Sequence, residues 1–106
     1  MSKTIRFHAT LAATILMALA MGWSQSGEAT YKAKCQMCHG ANGMAESGAG
    51  KAMHVKPATD PDVKKMSEAL MIAAVSNGMG KMQAYKGKLT DTQIRDAVTY
   101  FRTFVK

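Results

Sequence analysis

Apolar residues return every third or fourth position near the carboxyl end, at Ile94, Ala97, Val98, Phe101 and Val105. That spacing lines one face of an α-helix. Thr90 and Gln93 stand three apart as a capping box, and Leu89 and Ile94 are placed to pack as a hydrophobic staple. A second helix is predicted from Ser67, whose hydroxyl can accept from the unpaired amides of the first turn while Glu68 sits at the positive end. Leu70, Ile72, Ala73, Ala74 and Val75 continue it, and Asn77-Gly78 supplies the stop. Gly27 to Met37 predicts a shorter helix, with Tyr31 one turn ahead of Cys35. Gly40-Ala41-Asn42-Gly43 then reads as a turn, and Gly48 and Gly50 as an extension of the irregular region. Through Pro57 and Pro61 the chain is expected to stay loop-like. No stretch alternates with period two, so the fold class is all-α, with three or more short helices and long glycine-rich loops.

The amino terminus has a different pattern. Lys3 and Arg6 precede a mostly apolar run from Ala9 to Met21, the layout of a secretory signal peptide. The run is short of the roughly 20 residues a membrane-spanning helix needs, so a stable membrane anchor is not expected. The reading is a signal segment over residues 1–26, with the mature start between Met21 and Gly27 and a periplasmic destination, followed by one domain over 27–106. Removing Lys3 and Arg6 from the 14 basic residues leaves 12 against seven acids, a formal charge of +5. The remaining large aliphatic residues are few, from Val55 to Val105, and methionine is abundant, at Met37, Met44, Met53, Met66, Met71, Met79 and Met82 among others. A core so lean needs a staple or an added apolar body.

Cys35-Gln36-Met37-Cys38-His39-Gly40 holds both cysteines of the chain. A thioredoxin-type dithiol sits between a strand and a helix, and no strand is predicted here. A structural zinc site needs four ligands, and outside this motif the mature chain offers only His54. A plain disulfide suits an exported protein but leaves His39 and Gly40 without a role. Cys-x-x-Cys-His as a haem attachment motif uses every residue: each thiol adds across a vinyl group and His39 ligates the iron.

Beyond that motif, Gly27, Tyr31 and Cys35 at four-residue intervals, and a final helix from Leu89 to Arg102 with Tyr100 and Phe101 as packing aromatics, resemble the class I c-type cytochromes of the small single-haem bacterial and algal kind. The resemblance implies a cytochrome c-like fold wrapped around one covalently attached haem c. It also implies that the first and last helices cross near Gly27, where the missing side chain lets the backbones approach. The family takes its sixth iron ligand from a loop written approximately Asn-Gly-x-Gly-x-Met-Pro. Asn77-Gly78-Met79-Gly80-Lys81-Met82-Gln83 matches it with Met82 at the ligand position and Gln83 where the family has proline. Met79 is the nearest competitor and His54 stands behind it. The alternative for any of these methionines is ordinary packing, since flexible thioethers fill gaps well; Met53, Met66 and Met71 are assigned to haem-facing or core packing. Pro57 falls where the family offers a backbone carbonyl to the proximal histidine, or else it shapes the loop.

The resemblance implies an electron carrier and not an enzyme: iron ligated on both faces by protein has no open position for substrate. Its partners would be redox donor and acceptor proteins. Lys81, Lys86 and Lys88 near Met82, with Lys32 and Lys34 ahead of the cysteines, would steer acidic ones, or merely solvate the loops. No nucleic-acid-binding motif is present, so nucleic acid is not an expected partner. A haem sensor or enzyme with a displaceable sixth ligand, or a cytochrome subunit of a larger dehydrogenase or oxidase complex, are the rival readings.

Overall fold

The computed structural model describes residues 26–106, so the expected signal segment lies, but for Ser26, outside the described residues. Six helices follow in the described chain: α1 Gly27–Lys34, α2 Gln36–His39, α3 Gly48–Ala52, α4 Pro61–Lys65, α5 Glu68–Asn77 and α6 Asp91–Arg102. Two isolated bridges, Met79 with Met82 and Lys86 with Leu89, are the only extended pairings among these residues. Helices this short do not hold themselves together in water. Side-chain caps start five of them. Ser26 accepts from Ala29 N–H, Ser47 from Gly50, Asp60 from Asp62, Ser67 from Leu70, and Thr90 from Gln93 in a complete capping box. The caps foreseen at Ser67 and Thr90, and the stop at Gly78 (φ 82°), are thus in place.

Packing supplies the rest, and it concentrates where α1 crosses α6. A Cβ on Gly27 would collide with the carbonyl oxygen of Asp96, so only glycine permits this approach. Tyr31 fills the crossing at 1 % exposure, its ring 5.2 Å from Tyr100, 6.3 Å from Phe101 and 5.8 Å from Phe104. Ile94, Ala97 and Val98 complete the buried face of α6. Gly27→Ala is expected to cost about 1–3 kcal/mol through overpacking against backbone that cannot yield. For a domain of this size that lowers Tm by roughly 5–20 °C, measurable in a thermal melt of the intact protein. On its other side α6 meets α5, where Thr99 Oγ1 donates to Glu68 Oε1 at 3.2 Å.

Two segments expected to be irregular are helical. Gly48 and Gly50 lie inside α3, because Ser47 caps it and because Gly50 packs against the backbone carbonyls of Cys38 and Ala45, where no side chain would fit. Pro61 opens α4 instead of preventing it. At the first helical position its missing N–H costs nothing, and Asp60 caps the turn. The first predicted helix is also divided: Cys35 (φ −113°, ψ −35°) ends α1 and begins α2.

Candidate functional site

Cys35, Cys38 and His39 occupy the junction of α1 and α2, a short stretch braced from outside. Cys35 N–H donates to Tyr31 O at 2.8 Å and His39 N–H to Cys35 O at 3.0 Å. The carbonyls at the end of α2 have no helical partner of their own. Ser47 Oγ donates to Met37 O at 2.6 Å and Tyr31 Oη to Gly40 O at 2.5 Å. Gly40 (φ 81°) then turns the chain, and Ala45 N–H closes the loop onto His39 O at 2.8 Å. The buried hydroxyl of Tyr31 has its pKa raised, chiefly by desolvation, so it serves as a neutral donor to this turn.

The chemistry of the three side chains follows from their surroundings. Both thiols are free and half-buried. Burial, with Cys38 as a second cause, pushes the Cys35 thiol up to about 11. A reactive dithiol needs the opposite, a depressed pKa and a standing thiolate. His39 has its pKa lowered by burial, which keeps the imidazole neutral, the form that binds metal. Its ring lies edge-on to Phe101 at 5.3 Å, and Nδ1 is buried without a hydrogen-bond partner. The Pro57 carbonyl accepts from Asp60 N–H at 2.9 Å, the loop-shaping role, and does not bond His39. Among the described residues no cluster of three or more His, Cys, Asp or Glu side chains could hold a metal ion. A four-ligand zinc site is therefore not built from them.

Met82 comes from the loop between α5 and α6. Met82 N–H donates to Met79 O at 2.9 Å and Met79 N–H to Met82 O at 3.1 Å, making a hairpin with Gly80 (φ 56°) and Lys81 at its tip. Met82 is half-buried, whereas Met79 is 60 % exposed and His54 is exposed. Downstream, Tyr85 N–H donates to Val75 O at 2.9 Å and Lys86 N–H to Ser76 O at 3.1 Å, fastening the loop to the end of α5. The loop is also tied across to the cysteines, since Tyr85 Oη donates to Lys34 O at 3.1 Å. A cleft of about 300 Å³ lies between Lys34, Met37 and Cys38 on one side and Gln83, Tyr85 and Leu89 on the other. Tyr85 had no role in the sequence reading. A single aromatic within the lysine-rich stretch Lys81 to Lys88 was the available signal.

The apolar side chains around this region fit a bulky apolar group better than water. α5 is apolar nearly throughout, yet Met71 alone of its residues is buried, and Leu70 is 58 % exposed. A helix apolar on all sides belongs in an interior. Two free thiols, a half-buried neutral imidazole directly after them, and an apolar wall that the chain leaves partly uncovered make a donor set that fits haem c.

The family described as cytochrome c oxidase, cbb3-type, subunit III matches residues 24–101. Cytochrome c6 of Leptolyngbya boryana is 37 % identical over 75 residues, 71 % of this chain and 85 % of that one. Among solved structures, the KustC0563 c-type cytochrome superposes with a TM-score of 0.70 at 26 % identity, over 77 % of this chain and all of that chain.

Proposed function

This chain belongs to the small c-type cytochromes, and we propose that it is a single-haem carrier that passes one electron at a time between redox proteins of the periplasm. Haem c, when bound, supplies a metal that takes up and releases single electrons without transfer of atoms. Cys35 and Cys38 would hold it through two thioether bonds, and His39 and Met82 would ligate its iron. The observation that carries the reading is His39: half-buried with Nδ1 out of solvent, kept neutral and edge-on to Phe101, directly after two free thiols. Phe101 and the Tyr31 cluster hold the imidazole's neighbourhood rigid, so little rearrangement accompanies a change of charge nearby. Leu70, exposed on the apolar α5, is surface that such a group would cover.

The surface agrees with a carrier. Lys81 and Lys86 stand exposed near Met82, a basic rim suited to acidic partners. Lys32 is engaged instead with Glu28 at 2.8 Å, which weakens its part in such a rim. No helix among the described residues is long and apolar enough to cross a membrane. A mature start no later than Ser26 would retain the cap of α1.

The test is spectroscopic. The holoprotein should titrate reversibly as a one-electron couple, and its reduced form should resist carbon monoxide at neutral pH. Rapid stoichiometric binding of carbon monoxide would instead mark a sensor or enzyme with an open coordination position. The description of the matching family favours a second reading, a cytochrome subunit seated on an oxidase. Co-elution of the native protein with a large copper- and haem-containing partner would select that reading over the free carrier.

A further inference from the structure

Gln83 stands where a loop of this kind ordinarily has proline, and its side chain is engaged at both ends. Lys88 Nζ donates to Gln83 Oε1 at 2.8 Å, and Gln83 Nε2 donates to the Tyr85 hydroxyl at 3.1 Å. That hydroxyl in turn donates to Lys34 O, the last carbonyl of α1, one residue ahead of Cys35. A chain of hydrogen bonds thus runs from the residue after Met82, across the cleft, to the helix that delivers the first thiol.

The loop needs such a restraint. Gly78 and Gly80 both adopt positive φ, and the space around Gly80 is open, so packing does not stiffen the tip. Glycine leaves such a segment much conformational freedom to lose. The backbone anchors bracket the gap: the Met79–Met82 hairpin lies before Gln83, and the bonds from Tyr85 and Lys86 to α5 lie after it. A proline at 83 would fix φ and narrow the alternatives available to the loop. Glutamine fixes nothing through its backbone.

We propose that Gln83 is a positioning residue for Met82, its amide bridge to Tyr85 and Lys88 replacing the restraint of the missing proline. The inference rests on Met82 being the axial sulfur ligand. Its consequence is that the thioether is harder to displace than the glycine-rich loop alone would make it.

Imidazole added to the ferric holoprotein at neutral pH competes directly with the sulfur ligand, and its affinity reads the loop's hold on Met82. Gln83→Ala should bind imidazole roughly threefold more tightly, as expected for losing partly exposed hydrogen bonds. Tyr85→Phe should act in the same direction, and the double variant should exceed neither single change by much, because both remove one bridge. Gln83→Pro should restore wild-type affinity. Gln83 is exposed, so alanine there leaves the core untouched, and the native haem spectrum serves as the check on folding. Unchanged imidazole affinity in Gln83→Ala, or full additivity with Tyr85→Phe, overturns the proposal. The ligand reading is tested separately. Should Met82→Ala keep the weak far-red band of sulfur-ligated ferric haem, that reading fails; should the band vanish there while Gln83→Ala behaves as wild type, only the positioning role fails.

Discussion

The variant in which Cys35 and Cys38 are both alanine is expected to lose most of its helical far-UV circular dichroism and to show no cooperative thermal transition. The reason is the size of the core. Its buried apolar members are Tyr31, Ala45, Ala58, Met71, Tyr85, Ile94, Ala97 and Val98, and the three alanines among the eight contribute little area. A core of this scale supplies at best about 3–5 kcal/mol, while α2, α3 and α4 have five residues or fewer and no independent stability. A group that binds only the folded chain adds its binding free energy to folding. Without the two thiols that group is no longer tethered, and the uncovered wall of α5 would face water. A variant that kept native-like dichroism and melted cooperatively would show that the polypeptide folds on its own, against this account.

Met82→Ala carries the second large effect. The protein should retain its covalent haem but lose the far-red sulfur band, show a lower reduction potential, and bind carbon monoxide stoichiometrically when reduced. Met79→Ala, across the same hairpin, should leave all three properties unchanged. The geometry separates the two methionines: Met82 is half-buried on the arm that leads to the anchored Tyr85, and Met79 is exposed on the other. Loss of the sulfur band in Met79→Ala alone would exchange their roles.

Much of this architecture was legible because it is written locally. The cap at Ser67, the Thr90–Gln93 box and the apolar stripe of α6 each depend on residues within one or two turns. The Cys-x-x-Cys-His motif is five consecutive residues. Gly27 was legible only through the family resemblance, and the collision with Asp96, 69 positions away, supplies its physical reason. α3 was missed because two glycines argue against a helix, and the reason they suit it, close contact with the Cys38 and Ala45 carbonyls, is tertiary. Pro61 misled in the other direction, since its effect depends on whether it falls inside a helix or at its first turn. Gln83 read in the sequence only as a departure from a pattern. Its bridge leads through Tyr85 to Lys34, 51 positions earlier, a pairing that no local rule contains.

The central claim, a haem joined to this chain through Cys35 and Cys38, is tested most directly by the intact mass of the exported protein under denaturing conditions. The account predicts one species, trimmed at the amino terminus between residues 20 and 26 and heavier than the bare polypeptide by one haem, with the added mass on the peptide containing Cys35 and Cys38. A mature protein with the mass of the polypeptide alone would contradict it.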